Sequence, residues 1–189
     1  MSSEARESRT QALQDRLLRV PDLEAHSKEE LLRQVRGYLR LAINDEVLTN
    51  APDEPFRLVK LDPARNKEEF LIVGGDKNEA RDVNLSCFRR ADGGWFHFAL
   101  TGRQKSRTAI ELLGYNFEYC FPGSPVQFVR FDLSSPLGEA TANIDRGLRS
   151  HLNPGRDDIQ VPAAALTWQE LLDLCVYRLT PRDPDRRRR

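Results

Sequence analysis

The chain has 189 residues, a formal net charge of zero, 39% hydrophobic and 31% charged residues. That length predicts one domain with enough bulk to bury a core without covalent staples. Uninterrupted apolar runs stay as short as Phe70-Leu71-Ile72-Val73, which excludes a spanning helix of about 20 apolar residues, and Met1–Thr10 lacks the hydrophobic core of a secretory signal.

In chain order, Leu13, Leu17 and Leu18 predict a helix over Ser8–Val20 that Pro21 stops. A second helix starts at Ser27, where Ser27-Lys28-Glu29-Glu30 reads as a capping box. The Ser27 hydroxyl takes an early amide, and Glu30 reaches back to the Ser27 N–H. Leu31, Leu32, Val35, Leu39, Ala42 and Ile43 then form one apolar stripe. The break at Pro52 and Pro55 ends an N-terminal helical segment, residues 1–50.

From Pro55 the period becomes two. Strands are predicted over Phe56–Leu61, Phe70–Val73, Leu85–Arg90, Trp95–Thr101, Tyr115–Phe121 and Val126–Leu133. Asp92-Gly93-Gly94 supplies a hairpin turn and Gly123-Ser124-Pro125 another. Tyr115, Phe117, Tyr119 and Phe121 are set on one sheet face, with Asn116, Glu118 and Cys120 on the other. A loop over Ser134–Arg146 leads to short strands at Leu148–Leu152 and Ile159–Val161. Thr167-Trp168-Gln169-Glu170 then caps a last helix bearing Trp168, Leu171, Leu172, Cys175, Val176 and Leu179. Hairpins in series between helices predict an α+β fold: an antiparallel sheet of about five to seven strands with an N-terminal helix pair and a C-terminal helix. Residues 51–180 join the helical segment in one domain. Residues 181–189, with five arginines against two aspartates, form a tail expected to be disordered.

Standard chemical motifs are missing. Gly74-Gly75-Asp76-Lys77 is too short for a phosphate loop, and no nucleophile elbow occurs. Cys87, Cys120 and Cys175 are too dispersed for a zinc pattern or a disulfide frame and read as reduced, buried thiols of a cytoplasmic protein. The histidines His26, His97 and His151 offer no local pair for a metal, and no cofactor or metal site is expected. His97, sharing a strand face with Trp95, reads as a structural histidine.

Two segments carry chemistry. Arg130 and Asp132 share a strand face, as do Arg149 and His151. If these strands pair, an arginine, an acid and a histidine meet on one face. Such a set can cleave a phosphodiester without a metal: the histidine moves the proton, the arginine stabilises phosphate charge and the carboxylate fixes the histidine tautomer. The plainer reading is a salt-bridged face with His151 bonded to a loop carbonyl. The second segment is basic: Arg89, Arg90, Arg103, Lys105 and Arg107 flank a hairpin with Trp95, Phe96, His97 and Phe98. It suits RNA or DNA phosphates and bases, or else is a solvated edge over aromatics that face the core.

The Arg-aromatic-Asp strand Arg130-Phe131-Asp132, the loop, His151, the proline at Pro162 and the capped terminal helix together resemble TumE-like toxins of bacterial toxin–antitoxin pairs. The likeness covers about Val126–Leu179, and the histidine-rich stretch of that pattern is reduced here to His151. The resemblance implies a toxin or defence protein that contacts nucleic acid, with a protein partner such as an antitoxin. The alternative is a non-catalytic protein-interaction module.

Overall fold

The computed structural model describes residues 23–63, 69–124, 126–134 and 149–180, with Ala12 and Asp15. The expected helix over Ser8–Val20 lies outside the described residues apart from Ala12 and Asp15, which are helical. Most of the expected loop over Ser134–Arg146, and the tail from Pro181, also lie outside them.

Helix α1, Lys28–Asn44, starts where the Ser27 hydroxyl accepts the Glu30 amide at 3.2 Å. The reciprocal half of the expected box shifts by one residue, because the Glu30 carboxylate accepts from the His26 amide instead, at 2.9 Å. The predicted stripe is the buried one: Leu31, Val35, Leu39, Ala42 and Ile43. The strand expected from Phe56 begins later. Residues Glu54–Leu58 form a short helix α2 with Pro55 in its first turn, where a fixed φ favours helix and no amide is needed. Strand β1, Val59–Pro63, follows.

The remaining strands are β2 (Glu69–Gly74), β3 (Phe88–Arg89), β4 (Trp95–Ser106), β5 (Ala109–Cys120), β6 (Phe128–Leu133), β7 (Ser150–Pro154) and β8 (Val161–Pro162). They form one eight-stranded antiparallel sheet in the order β1-β2-β4-β5-β6-β7-β8, with β3 also pairing β4. Two of the eight, β3 beside β4 and β8 at the sheet edge, are only two residues long. Asp92-Gly93-Gly94 makes the predicted turn between β3 and β4, with Gly93 at φ +86°. Strand β4 runs past the expected end at Thr101. Gly102 stays within the strand because the Phe70 ring lies over it, 2.3 Å from where a Cβ would sit.

Tyr115, Phe117, Tyr119 and Phe121 are all buried, with Phe96, Phe98 and Leu100 of β4 on the same side. This face packs on α1 and on α3, Trp168–Asp173, which widens to a π turn over Leu174–Arg178. Thr167 and Glu170 make the full predicted capping box. Leu171, Leu172, Cys175 and Val176 complete the core, and Cys87, Cys120 and Cys175 are buried free thiols. No helix among the described residues is long and apolar enough to cross a membrane.

Leu172 is 0% exposed in this core. Leu172→Ala should therefore lower stability by about 2–5 kcal/mol, the cost of lost burial plus a cavity. Denaturant unfolding checks it, and a change below about 0.5 kcal/mol would mark a surface position instead.

Candidate functional site

Antiparallel register carries polar side chains into rows across the sheet face opposite the helices. One row is His97 (β4), Glu118 (β5), Arg130 (β6) and Asn153 (β7); the next is Ala99, Asn116, Asp132 and His151 on the same strands. Above them, Trp95, Cys120 and Phe128 make a small apolar cluster with Cys87. The face opposite α1 and α3 is thus a second, polar core.

The expected pairing of the Arg130 and His151 strands is present, and Asp132 lies directly opposite His151. His151 Nε2 is 3.5 Å from Asp132 Oδ2. Arg130 Nε donates to the same oxygen at 2.8 Å, and Asn116 Nδ2 donates to Asp132 Oδ1 at 2.6 Å. A pocket of about 210 Å³ is lined by Asn116, Arg130, Asp132, Ser134, His151 and Gln160, although His151 itself is only 2% exposed. Arg149 stands at its margin, with Nε donating to the carbonyl of the lining residue Ser134 at 3.1 Å. Burial lowers the Arg149 pKa from its usual value.

Besides Asn116, three residues of this network come from outside the predicted set. Glu118, 3% exposed, accepts from Arg81 Nη2 at 3.1 Å and lies 3.5 Å from Arg130 Nη1. Asp157, in the β7–β8 turn, accepts from Arg81 at 2.9 Å and from Arg130 at 2.5 Å. Arg81 also lies over the Phe128 ring, 3.5 Å from its centroid. Burial raises the Glu118 carboxyl above its ordinary value despite the opposing pull of Arg81 and Arg130. Partial burial acts against the Asp157 carboxylate as well, but hydrogen bonds from Arg81 and Arg130 hold it below the usual range. Strand alternation set Glu118 on this face; Arg81 and Asp157 lie on loops, where no periodicity marks them. Among the described residues, no group of three or more His, Cys, Asp or Glu is placed to hold a metal ion.

The basic residues do not make one surface. Arg89 is opposite Trp95 and Arg103 lies eight residues along β4, roughly 27 Å away at about 3.3 Å per residue. Arg90 is buried; it donates to the Cys175 and Leu179 carbonyls and pairs with Asp92, which holds the end of the last helix. Arg89 donates to the Val83 carbonyl at 2.9 Å, Arg103 lies 3.7 Å from Glu69 and Lys105 3.2 Å from Glu111, while Arg107 is exposed. The residues read as one basic hairpin are therefore spread over separate parts of the fold: Arg90 is buried, while Arg89, Arg103 and Lys105 each lie beside an acceptor of their own.

His97 is 9% exposed and stacks on Trp95 with ring centroids 6.2 Å apart. Burial, then the charges of Arg81 and Arg130, push its pKa down to about 4 from 6.5. In the unfolded chain it takes a proton near 6.5, so the unfolded state binds more protons between pH 6.5 and 4. Stability should fall through that window as pH drops, by about 3 kcal/mol from this group. Denaturant unfolding of His97→Phe should show a shallower loss between pH 7 and 4 than the wild type; equal slopes would contradict it.

Comparison with protein-family models, curated proteins and solved structures returned no match. Fold and site define an α+β protein whose sheet is covered by helices on one face and carries a buried ionic network on the other.

Proposed function

We propose that this protein is a toxin-like ribonuclease that works through side-chain proton transfer, with Arg130, Asp132, Arg149 and His151 as its working residues. The observation that carries the reading is the register that sets Asp132 against His151, with Arg130 on the same carboxylate. Asp132 orients the imidazole, and His151 accepts the proton of an RNA 2′-hydroxyl. The 2′-oxygen attacks phosphorus, the bond to the 5′-oxygen breaks and that oxygen takes a proton from solvent, leaving a 2′,3′-cyclic phosphate. Arg130, with Arg149 at the pocket margin, offsets the negative charge that builds on the phosphoryl oxygens. The resemblance of Val126–Leu179 to toxin–antitoxin proteins adds a defence-related role and a neutralising protein partner to this proposal.

A second reading, the non-catalytic protein-interaction module, is favoured by the commitment of Arg130 to Asp132, Asp157 and Glu118, which makes the network structurally self-sufficient. Matched RNA and DNA oligonucleotides separate the two. The nuclease reading expects RNA cleavage in the presence of a chelator and none of DNA, which lacks the attacking hydroxyl. Intact RNA after prolonged incubation with folded protein would leave the interaction module.

A further inference from the structure

Helix α1 buries one stripe and turns another to solvent, and the outer stripe is basic. Arg33, Arg36 and Arg40 recur at three and four residues and, with Leu32, Gly37 and Phe56 of α2, line a groove of about 380 Å³. Arg33 and Arg40 are exposed and make no hydrogen bond or ion pair among the described residues. Arg36 is fixed as a wall. It lies over the Phe56 ring, 5.6 Å from the centroid, and donates to the Phe56 and Val59 carbonyls at 3.2 and 2.7 Å. Those acceptors are neutral, so its charge stays uncompensated. Glu29, the acid among the lining residues, sits in the first turn, where the helix dipole favours it, and leaves the groove with an excess of positive charge. The apolar part is equally open: Phe56 is 52% exposed, and Leu41, one turn beyond Gly37, is 62% exposed. A Cβ added at Gly37 would meet nothing within 4 Å, so no close contact in the fold requires that glycine. Like charges three and four residues apart, and a glycine inside a helix, each weaken α1 on its own. Both are explained if this face serves a contact.

We infer that this groove docks an acidic amphipathic helix of a partner protein, with a bulky apolar side chain seated over Gly37 beside Phe56. Charge complementarity selects the partner. Arg33 and Arg40 lie two helical turns apart, roughly 10 Å along the axis, so carboxylates at i and i+7 of a facing helix reach both. The missing side chain at Gly37 lets the apolar ridge of that helix approach closely. Leu32 and Leu41 offer bases no stacking platform, and Arg36 lies over the Phe56 ring, which favours a peptide over a nucleic acid. The groove shares no lining residue with the His151 pocket, so the inference stands apart from the nucleolytic reading.

Fluorescence anisotropy on the full chain tests the inference with two labelled peptides of about 14 residues, leucine at every third or fourth position. One carries glutamate at the other positions and its counterpart carries lysine. At low salt the acidic peptide should bind at least about tenfold more tightly than the lysine peptide. Arg33→Glu with Arg40→Glu should reverse that order. Gly37→Leu should fill the seat and weaken the acidic peptide by about tenfold or more, while raising the denaturation midpoint, because leucine favours helix over glycine. If the double variant does not fold, Gly37→Leu decides alone. Equal binding of the two peptides, no binding at about 1 mM, or wild-type affinity in Gly37→Leu would overturn the inference. A lower midpoint in Gly37→Leu would overturn it by showing that the chain's own residues cover the seat. Dimers in sedimentation that Gly37→Leu abolishes would overturn it in favour of a second copy of this chain. Displacement of the acidic peptide by a single-stranded RNA of about 12 nucleotides would overturn it in favour of nucleic acid.

Discussion

His151→Ala should reduce RNA cleavage by about 10²–10⁴-fold, the usual contribution of a positioned proton-transfer group, while RNA affinity changes little. The expectation follows from where the side chain sits. His151 Nε2 lies 3.5 Å from Asp132 and the side chain lines the pocket, but the charges that would hold a phosphate belong to Arg130 and Arg149. A group that acts chiefly in the transition state lowers kcat and leaves binding in place. Single-turnover cleavage and a filter-binding titration, run on the same preparations, give the two numbers. Equal losses in cleavage and affinity would assign His151 a packing role, in keeping with its burial.

Phe117→Ala should cost about 3–5 kcal/mol, the range for deleting a buried aromatic ring. Phe117 is 0% exposed at the centre of β5, stacked on Phe98 with ring centroids 5.0 Å apart and edge-on to Tyr115 at 6.1 Å. Its neighbours in sequence, Asn116 and Glu118, point to the opposite face and enter the ionic network there. Loss of the ring would thus loosen the strand that supports both cores. Phe117→Leu, which keeps most of the apolar volume, should cost clearly less. Urea unfolding measures both; equal small losses would show that the β5 face is not the centre of the core.

Elements with a strong local cause were legible in the sequence. The α3 capping box, the α1 stripe and the period-two aromatics of β5 each combine a periodic signal with a matching residue chemistry. Local reading failed where a neighbour in space decided the outcome. Gly102 looks like a strand end but serves as the seat of the Phe70 ring, and Pro55 opens a helical turn where hydrophobicity suggested a strand. The same holds at the site. Arg130, Asp132 and His151 could be placed together because strand parity fixes which face a residue takes. Arg81 and Asp157 could not, since their arrival depends on how two loops close over Glu118. Arg90, grouped with the basic hairpin from the sequence, is buried for a related reason: its acceptors, the carbonyls of Cys175 and Leu179, lie far along the chain.

The central claim is that Asp132 and His151 form a proton-transferring pair that cleaves RNA through its own 2′-hydroxyl. End-group analysis of a short RNA, incubated with the wild type and with Asp132→Asn in excess chelator, tests it most directly. The account predicts 2′,3′-cyclic phosphate and 5′-hydroxyl ends from the wild type, and a loss of at least about 10²-fold in Asp132→Asn at similar RNA affinity. Products ending in 5′-phosphate, or intact RNA with folded wild-type protein, would contradict it.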